Sequence, residues 1–63
     1  MLDRDRAEAM IRTAASMMRE RGYKPTRIVV PMSLMGTLGE PVFFDGMKIQ
    51  ASLDIEDGQF VVL

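Results

Sequence analysis

The sequence predicts an α+β domain: a long N-terminal helix packed on a three- to four-stranded antiparallel sheet, in the order helix, strand, short helix, strand, strand, strand. Three features of the chain point there. Apolar residues recur at helical spacing through the first third, a β-branched run follows between two prolines, and the last third alternates apolar and polar residues between Asp-Gly pairs.

The helix is expected over about residues 4–21. Ala7, Met10, Ile11, Ala14, Met17 and Met18 recur three and four residues apart, the pattern of one buried stripe. Asp3 suits the N-cap, and Asp5 adds negative charge where the helix dipole favours it; Asp5 with Glu8 is a competing capping pair. Glu8 and Arg12 stand in favourable i,i+4 relation. Gly22 fits the left-handed position past the last turn, Tyr23 the following position of a Schellman motif over Met18, and Pro25 forbids continuation.

Residues 26–30, Thr-Arg-Ile-Val-Val, form a β-branched run between two prolines whose continuous apolar stretch predicts a short buried strand. Residues 31–39 open with Pro31, place Leu34 and Leu38 four apart and end at Gly39, as one or two helical turns would. Strands are then expected at about 41–44, 47–56 and 59–63, joined by two-residue turns at Asp45-Gly46 and Asp57-Gly58 into an antiparallel meander. In that register Phe44 pairs with Met47, Val42 with Ile49, Ile55 with Phe60 and Leu53 with Val62. One face then carries Val42, Phe44, Met47, Ile49, Ala51, Leu53, Ile55, Phe60 and Val62 for the helix to cover, with Ala7, Ala14 and Ala15 allowing close approach. Phe43, Val61 and Leu63 fall on the opposite face among Lys48, Gln50, Ser52 and Asp54, where they form a candidate contact patch for another protein. Met32 and Met35, in the connecting segment, are further candidates, because methionine adapts to varied partners.

The chain has 63 residues, room for one domain. A core this small rarely supplies more than roughly 3–5 kcal/mol, and small domains usually add a disulfide, a metal or a partner chain. Cysteine and histidine are both absent. Disulfides and thiolate metal sites are therefore excluded, and no cofactor is expected, which leaves association with another chain, a second copy or a larger protein, as the expected source of extra stability. The net charge of −1 favours neither nucleic acid nor membrane. Its distribution is uneven: residues 1–27 carry seven basic against four acidic side chains, whereas residues 28–63 carry Lys48 against five acids. Such polarity suits head-to-tail association or a basic end aimed at an acidic partner. Apolar runs reach only about four residues, so no membrane span is expected, and with no secretory signal the expected location is the cytoplasm.

Catalytic apparatus is not recognisable. The hydroxyls of Thr13, Ser16, Tyr23, Thr26, Ser33, Thr37 and Ser52 have no histidine to activate them, and a Ser–Lys dyad would need Lys24 or Lys48 beside Ser33 or Ser52. Asp54, Glu56 and Asp57 would offer oxygen ligands to a hard cation, but their spacing is that of a charged turn rather than an EF-hand. Gly36-Thr37-Leu38-Gly39 lacks the lysine and spacing of a phosphate loop. The expectation is a non-enzymatic interaction or structural module. The alternative is a small nucleic-acid-binding or regulatory protein using Arg12, Arg19, Arg21, Lys24 and Arg27 along the first helix and past its end. Asp3, Asp5, Glu8 and Glu20, interleaved on that helix, and the scarcity of aromatics weigh against it.

Two stretches, RGYKPTRIVVPMSLMGTL (21–38) and FFDGMKIQASLDIEDGQFVVL (43–63), carry a further likeness. The pattern G-x-x-P-T-x-I-V-V-P, a leucine-containing short turn, then G-x-x-I-x-x-S and G-x-F-V-V resembles a segment of tailed-phage major capsid proteins. The likeness spans about two-thirds of the chain. In that family the segment belongs to the domain at the centre of the capsomer and makes subunit contacts. The resemblance thus implies a phage-derived or virion-associated assembly protein. The chain is far shorter than a capsid subunit, and no functional residue carries over.

Overall fold

The computed structural model describes residues 3–63. Helix α1 runs Arg4–Glu20, and Asp3 caps it by accepting the Arg6 N–H at 2.8 Å. At its other end the Gly22 N–H donates to the Arg19 carbonyl (3.0 Å) and the Tyr23 N–H to the Met18 carbonyl (3.0 Å), with Gly22 at φ +89°. These two bonds are the Schellman closure expected from Gly22. Strand β1 (Arg27–Pro31) leads directly into the short helix α2 (Met32–Thr37), followed by β2 (Phe43–Phe44), β3 (Met47–Ser52) and β4 (Val61–Val62). Gly39, at φ +84°, closes α2 in the same way: its N–H reaches the Gly36 carbonyl and that of Glu40 the Met35 carbonyl. None of the described helices is long and apolar enough to cross a membrane.

The molecule is α+β, a helix packed on a four-stranded sheet, but the sheet is mixed rather than an antiparallel meander. Its order is β2-β3-β1-β4. The first hairpin is as expected: Asp45 and Gly46 both have positive φ (53° and 81°), Phe44 pairs with Met47, and the Ile49 N–H donates to the Val42 carbonyl. The second is not a hairpin. Strand β3 ends at Ser52, and β4 crosses to the far side of β1, where Ile28 pairs with Val62 and Val29 with Val61. The pairs Ile55–Phe60 and Leu53–Val62 therefore do not form. The turn chemistry explains this. Glu56 accepts the Gln59 N–H, and of the two central residues only Gly58 has positive φ. A turn of that kind splays its flanking segments instead of twisting them into a ladder.

Strand β1 takes the central place, with β3 parallel on one side (Ile28 opposite Ile49, Val30 opposite Ala51) and β4 antiparallel on the other. Residues 32–46 supply the long crossover that parallel neighbours require. Both helices lie on one face. Ala7, Ile11 and Ala15 of α1, Leu34 of α2 and Leu38 just past it close over Ile28, Val30, Met47 and Ile49 in a single buried cluster. Phe44, Phe60 and Val62 pack against it, partly buried. Of the expected core members, Leu53 is 89% exposed because the strand it was to share with Val62 does not form, Val42 is 66% exposed although the Ile49 N–H bonds to its carbonyl, and Ala14, Ala51 and Ile55 are only partly buried and lie outside the cluster. Met10 (40%) and Met17 (50%) are also exposed. The buried stripe of α1 is narrower than its apolar pattern, and these methionines lie a notch round the helix from it.

Two outcomes follow from this arrangement. Ile11→Ala removes a fully buried side chain from the core cluster and should cost about 2–5 kcal/mol, read as a large fall of the urea midpoint at 25 °C. Val29→Cys with Val61→Cys should form an intramolecular disulfide on oxidation, since directly opposed antiparallel residues lie about 5.5 Å apart. Cysteines at Leu53 and Val62, neighbours only in a meander, should not.

Candidate interaction surface

With both helices on one side, no described element covers the other side of the sheet. Alternation along each strand decides what it carries. Ile28, Val30, Met47 and Ile49 point into the core, so Arg27, Val29, Lys48 and Gln50 point out. Register then aligns one row across all four strands. Phe43 stands beside Lys48, Lys48 beside Arg27, and Arg27 beside Leu63, whose backbone N–H and carbonyl both bond to Arg27. The next row holds Gln50, Val29 and Val61. Phe43 (66%), Val61 (40%) and Leu63 (56%) are all exposed on this face.

The expected patch is therefore present but divided. Phe43 sits on the β2 edge, while Val61 and Leu63 sit on the β4 edge, about 14 Å away at the usual strand spacing. Two cations lie between them. Arg27 and Lys48 occupy directly opposed positions, and neither is ion-paired among the described residues. Like charges placed opposite each other on a sheet face oppose its stability. The pairing of Arg27 with Lys48 was not legible in the sequence, because it depends on β1 and β3 being parallel neighbours.

The two methionine candidates separate. Met32 is 58% exposed at the start of α2, whereas Met35 packs against the core and is not free to meet a partner. The basic residues considered for nucleic acid do not form one strip either. The Arg12 guanidinium lies 3.7 Å from Glu8 and 5.0 Å above the Phe44 ring. Arg19 donates to the Asp45 carboxylate at 3.1 Å and to its carbonyl at 3.2 Å, tying the helix to the β2–β3 turn. Arg21 and Lys24 stay exposed near the end of α1, and Arg27 belongs to the sheet face.

Among the described residues the groupings of hydroxyls and acids considered for chemistry are not formed. Ser33 donates to Asp57 at 2.8 Å, and the Ser52 hydroxyl accepts the Asp54 N–H at 3.1 Å; among the described residues neither hydroxyl is bonded to a lysine. Asp54 and Glu56 lie beyond the end of β3 rather than alternating along it, and among the described residues no three acidic side chains come together as a cation site.

Replacing one of the two opposed cations tests the geometry. Lys48→Glu should turn repulsion with Arg27 into attraction and raise the urea midpoint, by an amount equivalent to about 0.5 kcal/mol at low salt. Arg19→Ala should lower it by no more than about 1 kcal/mol, since the Asp45 pair is largely exposed.

No protein-family model, curated protein or solved structure matches the chain.

Proposed function

We propose that this protein is a non-enzymatic interaction module, self-associating or docking on a larger protein through the uncovered face of its sheet. One observation carries the reading: the row Phe43, Lys48, Arg27, Leu63, in which two unpaired cations are flanked by exposed apolar side chains. A partner bringing carboxylates over the centre and apolar groups over the two edges would relieve the repulsion and bury the phenyl and leucyl groups together. An acidic, partly apolar protein surface has that chemistry. The chain's own acidic half, where Asp54, Glu56 and Asp57 are exposed, supplies carboxylates on a neighbouring copy and so permits head-to-tail contact. The resemblance to capsomer-centre segments favours the same class of role, a virion-associated or phage-derived assembly protein. Its location would then be the cytoplasm or the virion.

Nucleic acid binding by α1 ranks second, because Arg12 and Arg19 already have carboxylate partners within the chain.

Light scattering over a concentration series at low salt tests the first reading. Wild type should form heavier species than a variant carrying Phe43→Ser, Lys48→Glu and Leu63→Ser, whose core is untouched. Superimposable curves would remove the sheet face as a self-contact. Salt-sensitive binding of a labelled oligonucleotide, lost on Arg12→Glu with Arg19→Glu, would favour the second reading instead.

A further inference from the structure

A second apolar surface lies on α1. Its flank next to β4 forms an open groove of about 360 Å³, built from Met10, Thr13, Ala14 and Met17 with Phe60 alongside and Arg6 at one end. Met10 and Met17 are 40% and 50% exposed, an uneconomical placement for two large apolar side chains in a domain whose core is so small. Arg6 and Thr13 line the groove, and the polar residues of that helix line continue past it to Glu20. Arg6, Thr13 and Glu20 are spaced seven apart, so they fall along nearly one line of the helix, drifting only about 20° per heptad. Arg6 and Glu20 are both exposed, and among the described residues neither has an ion-pair partner, whereas Arg4, Arg12 and Arg19 all do.

We infer that a second copy of this chain packs on this flank, with the two α1 helices antiparallel about a two-fold axis beside Thr13. Antiparallel packing sets each residue before Thr13 against one equally far after it in the other copy. Arg6 and Glu20, seven places on either side, then face each other at both ends of the contact. Met10, three places before Thr13, and Met17, four places after it, fall within one residue of opposing each other on the groove side, close enough for their long side chains to meet, with the small side chain of Ala14 beside them. Helix axes at the usual 8–10 Å allow these contacts. Charge selects the direction. A parallel pair would set Arg6 on Arg6 and Glu20 on Glu20, repulsive at both ends, whereas the antiparallel pair is attractive at both. The contact is isologous and stops at two copies. It rests on α1 alone, independently of the docking reading of the sheet face, and it leaves both sheet faces free, so the dimer would present that surface twice.

Molar mass by sedimentation equilibrium tests this in the intact chain. Wild type should approach twice the 7.1 kDa chain mass as concentration rises. Arg6→Glu and Glu20→Arg, each alone, should weaken dimerisation by at least roughly tenfold, because each creates like-charge contacts at both ends. Mixed in equal amounts, the two variants should form a heterodimer in which both ends attract again, and the double variant should return to wild-type behaviour. Because the chain has no cysteine, Thr13→Cys should give a covalent dimer on mild oxidation. Phe43→Ser should leave all of these results unchanged, which separates this contact from one through the sheet face. A wild type that stays monomeric at hundreds of micromolar would overturn the inference. So would a dimer indifferent to both single reversals, or single variants that fail to rescue each other on mixing.

Discussion

Strand β1 is the element on which the other parts depend. It spans five residues, Arg27–Pro31, and is hydrogen-bonded along both sides, to β3 and to β4. Ile28 and Val30 are completely buried beneath the helices, and buried Pro25 and Pro31 bracket the segment. Pro25 stops α1 from running on, and Pro31, lacking an N–H, ends the strand and turns the chain into α2. Ala7, Ile11 and Ala15 of α1 share one buried cluster with Ile28 and Val30 of β1 and with Met47 and Ile49 of β3. Ile11, fully buried, is the largest side chain the helix contributes to it.

A one-sided core has a consequence for the rest of the sheet. The apolar side chains of α1 and α2 that reach the sheet are committed to the inner face, so no described element covers the outer one. Solvent would be expected to face small or well-paired polar groups there. Instead Phe43 and Leu63 flank two adjacent cations. Local choices that oppose stability in this way are commonest where a surface serves something other than folding.

Helix α1 works on three sides. One side packs on the sheet. A second faces the β2 edge, where Arg12 lies above Phe44 and Arg19 donates to Asp45. The third carries Met10, Thr13 and Met17 beside Phe60. Apolar spacing alone merges the first and third sides, because Ala7, Met10, Ile11, Ala14, Met17 and Met18 read as one broad stripe. Rotation about the helix axis separates them, and that rotation is fixed by contacts from residues far away in the chain.

The extent and ends of α1, its Asp3 cap and Gly22 closure, the existence of β1, the Asp45-Gly46 hairpin and its register, and the outward direction of Phe43, Val61 and Leu63 were all legible in the residues. Each depends on interactions between near neighbours or on strict alternation, and such signals are local. The place of β1 in the sheet, the departure of β4 from β3, the division of the outer patch and the opposition of Arg27 to Lys48 were decided by tertiary structure. Strand pairing is chosen by which edges can be reached once the helices cover one face, and a turn at Asp57-Gly58 reads alike whether it closes a hairpin or releases the chain. Two β-branched residues, Val61 and Val62, satisfy either partner by composition; only the open edge of β1, left by the long crossover through α2, made theirs the strand that completes the sheet.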